Sequence, residues 1–527
     1  MRIAVIGAGF AGIAAGKTLT ELGHDVTIFE NAHDVGGVWS ASRRYPGLTT
    51  QNNKGTYHLS DMPMPASYPE WPTGKQVQAY MASYVTLHGL NEKLRLGTEV
   101  TSASLVEGAP RKSGPLASEG AWTVTSRNVD SGDETTETFD FVVVANGIFS
   151  EPKIPEFAGR EAFEAAGGRV VAPSEVHSLD EVRGRKIAVI GYGKSACDVA
   201  ASLSDAADKT YVIARQLLWK MPRMLAGVLN YKYLMLSRLG EGLFEYRTLK
   251  GVEKLMHGPG KPVVNQMLGS VQGVATRQLK LKQLGLVPDG DFERIARSTV
   301  SLVTEGFYEK ATRGEITVIR DAAIRELTSK DGHPAATLTN GDEVELDMVV
   351  CATGFRQEVP FFDDDIQDRL TDDRGNFELY RQILPHDVPA LAFCGYNSSF
   401  YSPLSAEVAS VWIGALLLGD LDLPPLAERR AQVAERLAWM EERTEGHHAR
   451  GTNIIPFSMH NVDEMLDELR LNVSKVKKAV QWLLPVDARD YADLVPRLID
   501  RHERRTGVRV GVHEEEGYTP KTAAAKK

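Results

Sequence analysis

Short runs of consecutive apolar residues recur along the chain, and several of them end at a glycine turn. Six such runs cover residues 3–6, 25–29, 141–144, 186–190, 210–214 and 347–351. Strands that are buried on both faces of a parallel sheet read as continuous apolar runs rather than as alternating ones. Two of the runs lead into alanine-rich segments that are typical of helices. The pattern therefore predicts an α/β fold in which parallel strands alternate with helices.

Two of these runs lead into the same glycine pattern, G-x-G-x-x-G/A. The loop residues are Gly7, Gly9, Phe10, Ala11 and Gly12 after the first run, and Gly191, Gly193, Lys194, Ser195 and Ala196 after the fourth. In this pattern the glycines allow a tight turn and a close approach of a pyrophosphate, and the helix N-terminus supplies free N–H groups. Because both loops stand between a strand and a helix, they predict two nucleotide sites rather than two ordinary turns.

The residue that ends the next strand indicates which nucleotide each loop binds. After the first loop that residue is Glu30, whose carboxylate can accept both ribose hydroxyls and would repel a 2′-phosphate. After the second loop it is Arg215, which can pair with the 2′-phosphate of NADPH, although it could also be a solvated surface cation. The first site is predicted to take an unphosphorylated adenine nucleotide and the second NADPH.

The order of these features predicts a nested domain arrangement. The run at 141–144 ends in Asn146 and Gly147, the run at 347–351 ends in Thr353, Gly354 and Phe355, and the second glycine loop lies between them. We expect two Rossmann-like dinucleotide-binding domains, with the NADPH domain inserted in the other. The predicted parts are 1–160, 161–340 with a helical insert at about 217–300, 341–470, and a helical extension with a disordered tail at 471–527. Apolar residues of 217–286 favour a buried helical subdomain, with a cap or a membrane patch as the alternatives.

The amino-acid composition further restricts the kind of protein that this chain can be. The 527 residues are 43% hydrophobic, enough for two or three domains, and the net charge of −10 argues against nucleic acid as a partner. The three cysteines, Cys197, Cys351 and Cys394, lie far apart, which fits a reducing cytoplasm. We expect no signal peptide, no transmembrane segment and no metal site, since the pair His447-His448 is not part of a regular ligand set.

Further motifs follow in a specific order. They are Gly36-Gly37-Val38-Trp39, Tyr45-Pro46-Gly47, Ser60-Asp61-Met62-Pro63, Pro222-Arg223, Ala352-Thr353-Gly354-Phe355 and Met465-Leu466-Asp467-Glu468-Leu469. Together with the two loops they resemble flavin-containing monooxygenases over about residues 1–470. That family holds FAD and NADPH and inserts one oxygen atom of O2 into a small-molecule substrate. The resemblance implies a homodimer, and it implies further cofactor contacts at Gly37, Val38, Trp39, Asn53, Val100, Asn146, Gly147, His177, Thr353, Gly354 and Phe355.

Two departures from the family pattern bear on the site. The family sequence F-x-G-x-x-x-H is reduced at 171–177 to its last residue, His177, which could equally be a surface side chain. Gln51 stands where the family has an asparagine close to the flavin, and Asn52 follows it. The resemblance implies that these two amides hydrogen-bond the cofactors and are the catalytic side chains.

The reaction implied by the resemblance uses a C4a-hydroperoxyflavin that transfers oxygen to a soft nucleophile, an amine nitrogen or a sulfur, as in N,N-dimethylaniline monooxygenases. The related Baeyer-Villiger enzymes carry an arginine and an aspartate where this chain has Thr49 and Gln51, which makes ketone oxygenation the weaker expectation. An NADPH oxidase-like flavoenzyme and a non-enzymatic redox sensor are the remaining alternatives.

Overall fold

The computed structural model of the protein describes residues 1–106, 120–297 and 301–511. The strands are β1 (Arg2–Ile6), β2 (Asp25–Phe29), β3 (Leu94–Arg95), β4 (Thr98–Leu105), β5 (Trp122–Asn128), β6 (Glu134–Phe139), β7 (Phe141–Val144), β8 (Glu151–Pro152), β9 (Arg169–Val171), β10 (Lys186–Ile190), β11 (Lys209–Ala214), β12 (Lys220–Met221), β13 (Met224–Leu225), β14 (Leu229–Asn230), β15 (Ser301–Leu302), β16 (Ile316–Arg320), β17 (Ile324–Lys330), β18 (His333–Leu338), β19 (Glu343–Glu345), β20 (Met348–Cys351), β21 (Phe355–Arg356), β22 (Leu379–Tyr380), β23 (Leu384–Pro385) and β24 (Leu391–Phe393).

The α-helices of the described ranges lie mainly in the second half of the chain. They are α1 (Phe10–Glu21), α2 (Gly74–Leu87), α3 (Arg160–Ala165), α4 (Lys194–Leu203), α5 (Lys232–Met235), α6 (Arg238–Gly242), α7 (Val252–Met256), α8 (Lys261–Gln278), α9 (Leu281–Leu284), α10 (Phe307–Arg313), α11 (Asp364–Leu370), α12 (Ser402–Leu417), α13 (Leu426–Thr444), α14 (Ser458–Leu469), α15 (Lys475–Leu483) and α16 (Leu494–Thr506). Within those ranges, no helix is both long enough and apolar enough to cross a membrane.

The first domain is built on a parallel sheet in the order β24-β7-β1-β2-β3. β1 lies at its centre, where Ile3 is in register with Val26 of β2 and with Phe141 of β7. Since β24 pairs with β7, the sheet combines the front of the chain with a strand near residue 391. Helices α1 and α12 pack against each other beside this sheet. This sheet is thus assembled from distant parts of the chain.

The second domain is built on another parallel sheet, in the order β16-β11-β10-β20-β9. β10 pairs with β20 on one side, with Ile187 in register with Met348. Because β20 belongs to this sheet, strands from both sides of the border expected at 340 contribute to it. That border falls inside the small antiparallel sheet β17-β18-β19, which belongs to the second domain with α3.

All six apolar runs that the sequence predicts as strands form strands, and their ends differ from the prediction by at most one residue. β1, β7 and β20 are buried along almost their whole length. Continuous burial explains why these runs lack polar alternation, because a buried parallel strand has no solvated face.

The chain crosses between the two domains at two neighbouring points. The first crossing contains β8 and the second contains β21, and these strands pair antiparallel, with Phe355 opposite Pro152. The Lys153 N–H also donates to the Gly354 carbonyl at 3.0 Å. The two crossings therefore lie side by side.

The segment 217–286 contains helices α5 to α9 but also the short strands β12, β13 and β14. Met235, Leu243, Phe244 and Tyr246 are buried, as expected for a subdomain packed on the core. Residues 298–300 of the expected insert lie outside the described residues. The C-terminal extension is helical as far as Thr506, and the tail expected to be disordered lies beyond residue 511, also outside the described residues.

An ion cluster fastens this subdomain to α14. The imidazole of His460 lies between two carboxylates, with Nδ1 2.6 Å from Glu241 Oε1 and Nε2 2.8 Å from Glu253 Oε1. Burial acts to lower the pKa of His460, but the two carboxylates outweigh it and raise the pKa to about 10. The ring is therefore an imidazolium at neutral pH, bonded at both nitrogens.

Candidate functional site

The first glycine loop is packed so closely that two of its glycines have no room for a side chain. Gly7 has a φ of +108°, and a Cβ there would lie 2.4 Å from the Ala145 carbonyl oxygen. A Cβ at Gly12 would lie 1.8 Å from the Gly7 carbonyl oxygen. These two glycines are needed by the protein itself, because they let the loop pass between β1, α1 and the turn after β7.

Gly9 differs from its two neighbours. Its φ of −75° and ψ of −172° suit any residue, and it precedes α1 without a side-chain cap. A Cβ at Gly9 would lie 3.6 Å from the Gly37 Cα, which is an ordinary contact. The N–H groups of the first turn of α1 have no intrahelical acceptor. Among the described residues, the N–H groups of Phe10, Ala11 and Gly12 have no backbone acceptor, so the loop presents donors at the start of α1.

A cleft opens over this loop. It is lined by the ends of β1 and β2, the segment 36–43, the start of β4, the turn after β7, and residues 360–361 and 395–406. The predicted residues that line it are Gly7, Gly9, Phe10, Ala11, Glu30, Gly37, Val38, Trp39, Val100, Asn146 and Gly147. Gly12 lies beneath them against Gly7. Eleven predicted positions from five separate segments thus meet at one place.

Three further residues of the cleft have no motif that would have identified them: Arg43, Tyr57 and Phe361. The Arg43 guanidinium donates to the Ser150 carbonyl, which fixes a cation at the cleft. Tyr57 accepts from the Trp39 indole N–H at 3.3 Å, and its ring meets Phe10 edge to face at 5.3 Å. The positions of Arg43 and Tyr57 depend on these contacts between distant segments, which no local sequence pattern records.

Glu30 is the buried carboxylate of the cleft. Its Oε2 accepts from the Ala8 N–H at 2.8 Å and its Oε1 from the Ala32 N–H at 2.9 Å. Burial raises the pKa of Glu30, while the two backbone donors and the nearby Arg43 lower it in part. The carboxylate therefore connects the glycine loop to the end of β2 and places an acceptor in the cleft.

The second glycine loop repeats this geometry. Gly191 has a φ of +114°, and a Cβ there would lie 2.6 Å from the Ala352 carbonyl oxygen. Gly193 has a φ of −72° and a ψ of −175°, and a Cβ there would meet nothing within 4 Å. The turn with Thr353 and Gly354 thus lies against the second loop, in the same way as the turn with Asn146 and Gly147 lies against the first loop.

The side chains predicted around the second loop are placed in different ways. Lys194 is buried against Asp198, and burial lowers the pKa of this lysine. The charge of its ammonium is thus already paired with the Asp198 carboxylate. Ser195 is half-buried and Ala196 is buried. Arg215 is exposed directly after β11, and no hydrogen bond or ion pair of its side chain occurs within the described ranges.

The predicted amides lie where the two domains touch. Gln51 Oε1 accepts from the Leu302 N–H of β15 at 3.2 Å, and the Gln51 carbonyl accepts from the Tyr231 hydroxyl at 2.9 Å. Asn52 is buried and donates from Nδ2 to the Phe400 carbonyl, ahead of α12. Asn53 Oδ1 accepts from the Thr56 hydroxyl at 2.8 Å. None of the three lines the described cleft.

Two other predicted residues stand apart from the cleft. His177 is exposed in a loop, where its N–H donates to Glu181 at 2.9 Å. Phe355 meets Phe149, a residue of the cleft, edge to face at 5.5 Å. His177 is therefore not brought together with the first loop, whereas Phe355 reaches the edge of its cleft.

Comparison with known proteins agrees with this arrangement. The model of a family described as FMO-like, flavin-binding monooxygenase-like, matches residues 1–494. The chain belongs to this family. Membership confirms the resemblance inferred from the motifs and the enzyme class, a flavin monooxygenase, and it agrees with the expected cofactors, FAD and NADPH.

Individual members of the flavin-binding monooxygenase-like family are distant in sequence. A probable flavin-containing monooxygenase 1 from Arabidopsis thaliana is 26% identical over 520 residues, which cover 93% of this chain and 96% of that protein. The structure of S-allyl-L-cysteine S-oxygenase from Allium sativum is similar with a TM-score of 0.59 at 18% identity, covering 95% and 98% of the two chains. Cyclohexanone monooxygenase from Rhodococcus sp. Phi1, bound to NADP+, is similar with a TM-score of 0.64 at 19% identity, covering 89% and 98%. These structures confirm the two-domain α/β fold.

Proposed function

We propose that this chain is an FAD- and NADPH-dependent monooxygenase that oxygenates a soft nucleophile, an amine nitrogen or a sulfur, in a small molecule. The observation that carries the proposal is the pair of glycine loops with matching backbone geometry, followed by the buried Glu30 in one case and the exposed Arg215 in the other. A carboxylate suits ribose hydroxyls and an arginine suits a 2′-phosphate. FAD would accordingly lie in the first cleft and NADPH at the second loop.

The residues present fit both nucleotides. At each loop the glycine before the helix has ordinary backbone angles and space for a Cβ, so the protein alone does not require glycine there. A pyrophosphate close to the helix N-terminus does require it. In the first cleft, Arg43 adds a cation and Glu30 an acceptor. Bound FAD supplies the chemistry with O2 and NADPH supplies the hydride.

The remaining task of the protein is to position groups and exclude water. Because Gln51 Oε1 accepts from the Leu302 N–H, its Nε2 is the donor left for a nucleotide. Asn52 ties the same loop to the segment before α12, which lines the cleft. In this proposal both amides hold the loop where the two domains meet, and Gln51 donates to the cofactors.

One observation favours a second candidate, Baeyer-Villiger oxygenation of a ketone. The Arg223 guanidinium, 13% exposed, donates to Thr49 Oγ1 at 3.0 Å and lies 4.9 Å from the centre of the Trp71 ring. Ketone oxygenation needs a positive charge beside the flavin, and the sequence pattern had assigned none to this loop. Arg223 brings a guanidinium from the second domain to Thr49 of this loop, which supports this second candidate.

The experiment that separates the candidates offers the FAD-loaded protein NADPH in aerated buffer with N,N-dimethylaniline, thioanisole or cyclohexanone, and measures NADPH consumed, peroxide released and product formed. We expect an N-oxide or a sulfoxide, with less peroxide than in the absence of these compounds. A lactone as the only product would support the second candidate. Equal peroxide in every case with no product would overturn both.

A variant pair sharpens this test. Arg223→Met removes the cation beside Thr49, and Arg183→Met removes an exposed arginine of the same domain that pairs with Asp180. Under the main proposal both variants keep N- or S-oxygenation. Loss of lactone formation in Arg223→Met alone would assign any ketone activity to that charge. The homodimer, the cytoplasmic location, the domain borders and the individual cofactor contacts remain predictions.

A further inference from the structure

Lys220 of β12 is a buried cation that has no carboxylate partner among residues 1–106, 120–297 and 301–511. Its side chain is 2% exposed, and its Nζ donates to the Tyr192 carbonyl at 2.7 Å and to Ser301 Oγ at 3.0 Å. In the part of the chain that the structure describes, no carboxylate oxygen lies within 4.0 Å of this nitrogen. The buried ammonium groups of Lys17 and Lys194 pair with Asp61 and Asp198.

Such a group is unfavourable unless something compensates its charge. An ammonium taken out of water loses its hydration, and the two neutral acceptors together with the Tyr192 ring, whose centre lies 4.8 Å from Nζ, replace only part of it. The carbonyl that Lys220 holds belongs to Tyr192, between Gly191 and Gly193. The unpaired charge therefore lies directly beneath the second glycine loop, which is the proposed site of the NADPH pyrophosphate.

The bond to Tyr192 also orients the loop. In a trans peptide the carbonyl and the N–H of the next residue point in opposite directions. Since the Tyr192 carbonyl points inward to Lys220, the N–H of Gly193 points away from the core. The Tyr192 side chain is fixed as well, because its hydroxyl lies 2.9 Å from the Tyr308 hydroxyl.

We propose that the pyrophosphate of NADPH is the counter-charge of Lys220, which acts as a positioning residue through the Tyr192 peptide. This inference rests on the proposed function. The same lysine also bonds Ser301, and the adjacent Leu302 N–H donates to Gln51. Lys220 thus connects the second glycine loop to Gln51, an amide of the first domain.

The test measures binding of NADP+ and of NAD+ to the FAD-loaded protein by isothermal titration calorimetry at fixed salt. Lys220→Met is expected to weaken both nucleotides about 10- to 100-fold, by the same factor, because both carry the pyrophosphate. Arg215→Ala is expected to weaken NADP+ alone. Lys310→Met is the matched control, since Lys310 lies in the same domain but pairs with Asp205 at 2.5 Å, and it should bind both nucleotides as the wild type does.

Thermal unfolding without nucleotide separates this role from a structural one. Removal of a buried cation that no described carboxylate pairs with should leave the melting temperature of Lys220→Met equal to or above that of the wild type. A clearly lower melting temperature would assign Lys220 to the fold and overturn the inference. Lys220→Gln keeps a donor for Tyr192 without the charge, so it should bind both nucleotides more weakly than the wild type but more tightly than Lys220→Met does.

Two further results would overturn the inference. One is binding of NADP+ by Lys220→Met within twofold of the wild type, and the other is wild-type affinity in Lys220→Gln. Failure of the wild-type protein to bind NADP+ at all would instead overturn the proposed function. The two failures are therefore distinguishable.

Discussion

Gly9→Ala is the substitution that best separates the needs of the fold from those of the cofactor. The new Cβ would lie 3.6 Å from the Gly37 Cα, and the backbone angles of −75° and −172° suit alanine. Replacing glycine at such angles gains about 0.4–1 kcal/mol through the unfolded chain. Alanine is a poorer residue than glycine before a helix, which costs a similar amount. The free energy of unfolding of the apoprotein should change by less than about 1 kcal/mol.

The effect on FAD should be much larger. The methyl group would stand on the surface through which the loop approaches the pyrophosphate, so the phosphate would have to move away from the N–H groups of α1. We expect the dissociation constant for FAD to rise at least about 100-fold, which is about 2.7 kcal/mol. Gly7→Ala would instead prevent folding, because its Cβ would lie 2.4 Å from the Ala145 carbonyl oxygen at a φ of +108°.

The assay compares the melting temperature of the apoprotein with the FAD content of the purified protein, read from its absorbance near 450 nm. Gly193→Ala is the matched control at the second loop, where a Cβ meets nothing within 4 Å. It should keep its yellow colour and lose NADP+ binding, the reverse of Gly9→Ala. A Gly9→Ala protein that keeps FAD with wild-type affinity would refute the assignment of the first loop.

Three more predictions follow from single side chains. Arg215→Ala should weaken NADPH about 10- to 100-fold and leave NADH unchanged, because only the 2′-phosphate loses a partner; equal losses in steady-state KM for both would contradict this. His460 has its pKa raised from 6.5 to about 10, so its pairing with Glu241 and Glu253 stabilises the fold fully below pH 6.5 and is lost as the pH rises through 10. The melting temperature of the wild type should therefore fall more steeply over that window than that of His460→Gln, and parallel curves would disprove the effect. Gln51→Ala should raise the peroxide released per NADPH consumed without changing the FAD content, and an unchanged ratio would remove Gln51 from the mechanism.

Much of the fold could be predicted because its information is local. The strands β1 and β10 can be predicted from their apolar runs, and the glycines after them are required by contacts at the same turn. Even the order of the domains follows from where the loops stand in the chain. What the local pattern could not give is the sheet that a strand joins. The border predicted at 340 assigns the run at 347–351 to the first domain, whereas this run forms β20, which pairs with β10 in the second sheet.

The site was less predictable because its side chains bond to partners that the motifs do not specify, some of them far away in the sequence. Lys194 occupies a phosphate-binding position in the motif, yet its ammonium is bonded to Asp198 one helical turn on. Arg43 reaches the cleft through the Ser150 carbonyl, and Arg223 reaches Thr49 from the second domain. A sequence motif records which residue types are near a loop, but it does not record these pairings.

The antiparallel pairing of β8 with β21 has a consequence for how the molecule can be taken apart. Since Phe355 lies opposite Pro152 and the Lys153 N–H donates to the Gly354 carbonyl, the chain leaves the first domain and returns to it at almost the same point. A tight turn between these strands would close the first domain into a continuous chain without the intervening module. We expect that the first domain can be expressed in this way as a separate, smaller protein, and that the same junction allows the second domain to be exchanged for that of a relative.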